Sequence, residues 1–274
     1  MQAAADRIAV LPDQTAVTAF CHLADKLTEA FHLNLLALME DDSPEPVHKA
    51  RVTLRRFRAA LNAFEPILDE DAIEAMQDRT RSLFRILGGI RDADVIALRH
   101  VGTDRATDTL DEAAFQRRKV RKHLKRKKAD GFRKWVLRRL AGKRWRKTGK
   151  KAKMLRDAPV KVLAVSGMNQ AWADCTSNGD DLRVMPVRGQ HDLRKDLKML
   201  RYQAEFFADL WPVAAQDAFL SALRQVQDDL GEITDTALAK SRGLDATTDT
   251  AMALDRAATA WEALQSQGPV WAKD

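Results

Sequence analysis

Apolar residues recur at steps of three and four along most of the chain. Val17, Phe20, Cys21, Ala24, Leu27, Phe31, Leu35 and Leu38 mark a first amphipathic helix. The run Asp41-Asp42-Ser43-Pro44 predicts its end and the start of the next, with Ser43 as N-cap and Pro44 in the first turn. The second helix is expected to reach about Phe64, where Pro66 stops it. A third is expected from about Asp69 to Leu87, halted at Gly88-Gly89, with a short helix from Arg91. A longer helix starts near Arg105 and enters a segment punctuated by Gly131, Gly142 and Gly149. Pro159 predicts another, to about Asp174, while Ser177-Asn178-Gly179 and Pro186 to Gly189 read as loops. Helices over 190–210, 213–230, 233–243 and 248–266 close the chain. No segment alternates with a period of two, so the fold class is all-α.

Composition narrows the classes. Gly (12) and Pro (8) are sparse among 274 residues, which means few turns and long elements. No apolar run approaches the ~18 residues of a membrane span. Met1 to Gln14 has no apolar core, so a signal peptide is not expected, and the cytoplasm is the expected location. Two cysteines, Cys21 and Cys175, make no disulfide framework and read as reduced, core-facing thiols.

Charge changes the picture. The net charge of +7 conceals a segment, residues 117–156, with 21 of the 46 Lys and Arg and one acid, Asp130. The remainder of the chain is net acidic. A segment this basic repels itself unless it meets an anion.

A duplication organises the rest. His48-Lys49-Ala50-Arg51 resembles His191-Asp192-Leu193-Arg194, at an offset of 143. The same offset pairs Leu54 with Leu197, Arg55 with Lys198, Arg58 with Arg201, Phe64 with Phe207 and Arg81 with Arg224. It also pairs Leu87-Gly88, Ile90 and Asp92 with Leu230-Gly231, Ile233 and Asp235. Two homologous helical halves are therefore expected, 1–145 and 146–274, the first taking in the basic helical segment 117–153. Each is long enough for a four-helix bundle, and the two would pack about a pseudo-twofold axis.

On a helix, His48, Arg51, Arg55 and Arg58 share about 80° of arc, as do His191, Arg194, Lys198 and Arg201. The opposite faces carry Leu54, Leu61 and Phe64, or Leu193, Leu197, Leu200 and Phe207. No acid lies between Val47 and Ala63. Arg81 and Arg85 sit one turn apart on the next helix and extend the first stripe. Two cationic rows serve a fold poorly, because they repel, and serve an anion site well.

The blocks His48-Lys49-Ala50-Arg51-Val52-Thr53-Leu54-Arg55-Arg56-Phe57-Arg58 and Leu87-Gly88-Gly89-Ile90-Arg91-Asp92-Ala93-Asp94, with His191-Asp192-Leu193-Arg194-Lys195 and Leu230-Gly231-Glu232-Ile233-Thr234-Asp235, resemble the CHAD family, the conserved histidine α-helical domain. The resemblance covers roughly 15–265. It implies two pseudo-symmetric four-helix bundles with a basic central groove or pore, binding of inorganic polyphosphate, and association with polyphosphate granules and their proteins. The acidic signature of a CYTH triphosphatase domain is absent from the sequence, so the chain resembles a stand-alone member. Met199 and Thr234 depart from the pattern and imply weaker binding by the second half.

Polyphosphate has regular negative charge and no bases to read. Arg offers a planar fork for its oxygens, Lys a point charge, and His one or two donors. The expected binding set is His48, Arg51, Arg55, Arg56, Arg58, Arg81 and Arg85; Arg118, Arg121, Lys122 and Lys125 on the basic helix; and His191, Arg194, Lys195, Lys198, Arg201 and Arg224. No cofactor, metal or catalysis is expected. Two alternatives compete. One is non-specific nucleic-acid binding through 117–153, with Trp135 and Trp145 as stacking platforms, although Trp135 with Val136 and Leu140 also suits a core. The other is a metal-dependent phosphohydrolase using Asp92 and Asp94, or Asp228, Asp229 and Asp235. Against it, Asp92 and Asp235 have a simpler role as helix caps or partners of neighbouring Arg. His22, His32, His100 and His123 form no ligand pattern.

Overall fold

The structure is a computed structural model that describes residues 8–127, 131–177, 179, 181–241 and 249–272. Ten α-helices follow one another: α1 (Ala16–Glu40), α2 (Glu45–Ala63), α3 (Glu70–Arg99), α4 (Ala106–Lys127), α5 (Gly131–Ala141), α6 (Lys150–Asp157), α7 (Val160–Thr176), α8 (Val187–Phe206), α9 (Val213–Ser241) and α10 (Thr250–Gln267). Among the described residues there is no strand, only the isolated bridges Thr15 to Pro159 and Leu68 to Arg146. The all-α expectation holds. No helix among the described residues is long and apolar enough to cross a membrane.

The chain divides into two units, Val17–Asp157 and Met1–Ala16 with Ala158–Asp274. In the first, Val47, Ala50, Leu54, Phe57 and Leu61 form the buried stripe of α2, spaced as a one-faced helix requires. Phe57 and Phe31 each make a T-shaped contact with Phe132 on α5, at 5.4 and 5.6 Å between ring centroids. Phe20 stacks between Phe64 and Trp145, at 5.5 and 5.3 Å. The buried Trp145 indole donates to the carbonyls of Leu140 and Gly142, so this ring is a core residue and not a platform for bases. In the second unit, Trp172 lies against Phe219 and Trp261, and Phe219 against Trp271. The segment before α1 is laced to this unit by the bonds Val10 N–H to Phe206 C=O, Ala16 N–H to Ala158 C=O and Val160 N–H to Gln14 C=O. Both thiols are free. Cys175 is buried and Cys21 half-buried, and burial pushes both above the ordinary thiol range.

Helix ends follow local chemistry, with four corrections to the sequence reading. Asp69 caps α3 by accepting from the Ala72 N–H, and Glu70 and Asp71 complement the helix dipole. Asp249 caps α10, and Gly268, at φ +66°, closes it. Ser43 is not the N-cap of α2. Its N–H and hydroxyl both donate to the Asp41 carboxylate, and Pro44 takes the cap position with no side-chain bond. Gly88-Gly89 does not end α3, nor does Gly231 end α9; both helices run straight through. Asp92 therefore caps nothing. Residues 187–189, read as loop, are the first turn of α8. Gly189 is there because a Cβ would stand 2.7 Å from Met185 Cγ.

Those through-running glycines have a packing cause. A Cβ on Gly88 would stand 3.2 Å from Arg51 Nη1, and a Cβ on Gly231 would stand 3.3 Å from Arg194 Nη2. Each glycine leaves a notch in its helix that a guanidinium from the preceding helix occupies. A mid-helix glycine costs about 1 kcal/mol, which helices of 30 and 29 residues absorb.

Candidate anion-binding site

In the first unit the α2 stripe meets α3 around Phe84. Arg51 lies with its guanidinium carbon 3.8 Å from the Phe84 ring centroid and donates from Nη1 to the Phe84 carbonyl at 2.9 Å. Arg55 approaches the same ring at 5.7 Å. The Nε–H groups of Arg51 and Arg55 are shielded from solvent and have no acceptor. Arg51 is half-buried, and its pKa is lowered by burial first and then by the like charge of Arg55; Asp92 pulls the other way, and Arg91 adds a lesser push downward. His48 sits one turn earlier. Burial, then Arg91, holds its pKa below the ordinary imidazole range; Arg55 and Arg51 act the same way and Glu45 opposes them. These effects favour the neutral imidazole.

Arg91 belongs to this cluster and was missing from the expected set. Its signal was present, since it lies seven residues after Phe84 on α3 and so returns to nearly the same face. The expected helix break at Gly88-Gly89 hid that relation. Arg58 and Arg85 are exposed and have no acidic partner among the described residues. Arg56 is half-buried, about 100° around α2 from Arg55. Arg81 is exposed and paired with Asp78, with a longer bond to Gln77.

The basic helix α4 splits by face. Arg118 and Lys122 are exposed. Arg121 is turned to the end of α1, donating to the carbonyls of Leu38 and Asp41 and pairing with Asp42. It satisfies the last carbonyls of α1, a structural duty. The side chain of Lys125 lies outside the described residues. Arg117, which no expectation singled out, is buried and donates from Nη2 to both Asp94 carboxylate oxygens, at 2.9 and 3.1 Å, and to the Ser43 carbonyl. Burial pushes the Asp94 carboxyl up while Arg117 pulls it back. Asp94 is thereby engaged as the partner of Arg117. On α5, Trp135 is half-buried rather than core, with Arg139 and Arg79 at 4.4 and 5.1 Å from its ring.

The second unit carries the same row with acids beside it. Arg194 is half-buried against Gly231, and its Nε–H has no acceptor. Lys195 is tied to Asp192 at 2.8 Å, a bond that, with the attraction of Lys195, lowers the Asp192 carboxyl. Arg201 is held by Glu205 at 2.8 Å and by the Gln227 side chain at 2.9 Å. Lys198 is half-buried, and His191 and Arg224 are exposed. Asp229 is buried, with Gln225 and Arg256 as partners, while Asp228 is exposed. The side chain of Asp235 lies outside the described residues. Among the described residues no three His, Cys, Asp or Glu side chains are grouped to hold a metal ion.

No curated protein matches the chain. Two solved structures share the fold. The crystal structure of the CHAD domain from the plant Ricinus communis matches with a TM-score of 0.69 at 22% identity, covering 96% of this chain and 91% of that one. PptA from Streptomyces chartreusis matches with a TM-score of 0.54 at 16% identity, covering 93% and 99%. The family profile described as CHAD domain matches residues 22–243, a span that takes in both the Arg51–Gly88 and the Arg194–Gly231 contacts. The chain belongs to the CHAD domain family.

Proposed function

We propose that this protein binds inorganic polyphosphate through the α2–α3 face of its first unit, as a binding protein and not a catalyst. The observation that carries the reading is the cluster of His48, Arg51, Arg55 and Arg91, in which guanidinium groups are brought together, partly desolvated, and left without an acidic partner within ion-pairing distance among the described residues. Gathering like charges in a half-buried notch is unfavourable in the empty protein. A linear polyanion reverses the sign of that field and supplies acceptors to the unfilled Nε–H groups. Arg58 and Arg85 extend the row at the solvent edge. Membership of a family linked to polyphosphate binding supports the same conclusion.

The second unit repeats the arrangement through an internal duplication. Its turn at Ala208–Leu210 follows α8 as Glu65–Ile67 follows α2, and α9 begins 143 residues after α3. Its cations are more neutralised, and it binds more weakly. Association with polyphosphate granules follows from this reading.

The test is titration of the purified protein with polyphosphate of defined lengths, with ATP and duplex DNA as competitors. Replacing Arg51, Arg55 and Arg58 together with Ala removes charge-assisted hydrogen bonds of ~1.5–3 kcal/mol each, so affinity should fall more than tenfold with helicity retained. A folded triple variant that binds as tightly as wild type overturns the assignment. A second reading, non-specific nucleic-acid binding, rests on Trp135 between Arg79 and Arg139. Under that reading DNA displaces polyphosphate and Trp135→Ala weakens the DNA complex.

A further inference from the structure

Helix α4 carries a face of which only Arg118 and Lys122 were in the expected polyphosphate set and which the α2–α3 site leaves unused. Ala113, Arg117, Val120 and Leu124 are buried and form the side that packs inward. On the opposite side, within about 60° of Phe115 in either direction, stand Asp108, Asp111, Glu112, Arg118, Lys119 and Lys122. All seven residues are exposed, and Phe115 is 51% exposed. The three acids lie before the phenylalanine and the three bases after it. None of the six has an ion pair among the described residues; Glu112 only accepts from Gln116 on its own helix. Like charges one turn apart, Asp108 with Glu112 and Arg118 with Lys122, destabilise an isolated helix. The helix dipole favours Asp108 in the first turn, but no opposite charge on α4 stands one turn from these pairs, because the opposite charges sit at the other end.

We propose that α4 pairs antiparallel with α4 of a second copy of this chain, about a twofold axis passing at Phe115. In that arrangement Asp108 faces the second copy's Lys122. Asp111 lies beside the second copy's Arg118 on one flank, and Glu112 beside its Lys119 on the other. The operation repeats each pairing, and the two Phe115 rings meet at the centre and lose their exposure. The contact is isologous, so it closes at two copies and does not propagate into a filament. A parallel pairing would set acids against acids and bases against bases, so the charge order selects the direction. The face spans about four turns of one helix, which is less than a standard interface, so the dimer is weak, with a dissociation constant on the order of tens of micromolar at low salt. Its ion pairs are exposed and it weakens as salt screens them. This inference stands independently of the polyphosphate reading.

The test is sedimentation velocity of the whole protein, without polyanion, over a concentration series at low and at high salt. Wild type should shift from monomer to dimer with concentration at low salt, and the dimer should be at least tenfold weaker in about 0.5 M salt, where the Debye length has shrunk to a few ångström. Two charge-reversed proteins follow, Asp108→Lys with Asp111→Lys and Glu112→Lys, and Arg118→Glu with Lys119→Glu and Lys122→Glu. Each alone should be monomeric, and an equimolar mixture should form a heterodimer. Phe115→Glu, a single change at an exposed site, should also abolish the dimer and keeps the test decisive if a triple variant does not fold. A wild-type protein that stays monomeric at several hundred micromolar in low salt overturns the proposal. So does a dimer that survives high salt, or one that Phe115→Glu leaves unchanged.

Discussion

Replacing Gly88 with leucine perturbs the α2–α3 contact at one point. The Arg51 guanidinium occupies the notch, with Nη1 3.2 Å from where a Cβ would stand. From there it reaches the Phe84 carbonyl at 2.9 Å and lies 3.8 Å from the Phe84 ring. Alanine asks little of it. The guanidinium is the far end of a flexible side chain and yields by a few tenths of an ångström, which keeps its hydrogen bond within the ordinary range. Against that small loss stands a gain of ~1 kcal/mol from removing a mid-helix glycine, so Gly88→Ala should be neutral or mildly stabilising. Leucine brings the same gain less a few tenths, and its branch takes the space the guanidinium fills. Expelling Arg51 loses a charge-assisted bond of ~1.5–3 kcal/mol and a cation–π contact of ~0.5–1 kcal/mol. The net cost should be about 1–3 kcal/mol. In an Arg51→Ala background nothing remains to expel, and Gly88→Leu should then stabilise by a few tenths to ~1 kcal/mol. The assay is equilibrium denaturation of the four proteins of that double-mutant cycle, with a coupling of about 2–4 kcal/mol expected. If Gly88→Leu has the same effect in both backgrounds to within ~0.5 kcal/mol, the notch does not hold Arg51 and the reason given for the glycine is wrong.

Arg117→Ala strands the Asp94 carboxylate in a buried site and should cost ~3–5 kcal/mol in a denaturant melt; a loss under 1 kcal/mol would mean that water reaches the pair. His48 has a folded-state pKa below its unfolded value of ~6.5. Its contribution to stability is therefore complete above about pH 6.5 and is lost as pH falls through the folded-state value, and His48→Gln should reduce the acid-side slope of unfolding free energy against pH. The same residue should make long-chain polyphosphate bind more tightly as pH falls from 8 to 5.5, because the bound polyanion favours imidazolium; equal pH dependence in wild type and His48→Gln would remove the histidine from the site.

The amphipathic periods and the proline stops were legible because burial imposes them directly. Val47, Ala50, Leu54 and Phe57 form the core stripe that their spacing announces. What misled was glycine. Gly88-Gly89 and Gly231 look locally like helix ends, and only the long-range neighbours Arg51 and Arg194 give them another purpose. The cationic row could be read from sequence, since a stripe needs only the helical angle. Which of its members are free could not, because that depends on the acids other elements bring. Arg121 and Arg117 sit in the same basic run as Arg118 and Lys122, yet the first two are committed to α1 and α3. Trp145 and Trp135 likewise differ only in what surrounds them.

The recurrence of one contact in two electrostatic settings separates what the fold requires from what a ligand requires. Arg51 at Gly88 and Arg194 at Gly231 share the close approach to a glycine and an unfilled Nε–H group, so the guanidinium in the notch is an element of helix packing in both units. A packing element has no need of further cations around it. In the second unit that limit holds nearby, where Asp192 holds Lys195 and Glu205 holds Arg201. In the first unit Arg55 and Arg91 add positive charge around the notch, offset in part by Asp92 and Glu45, and burial with that charge lowers the pKa of His48. Apart from the approach of Arg55 to the Phe84 ring, that excess opposes packing through repulsion. On the proposed reading it is the excess, and not the notch, that an anion would answer, and that reading expects the stronger site on α2 and α3.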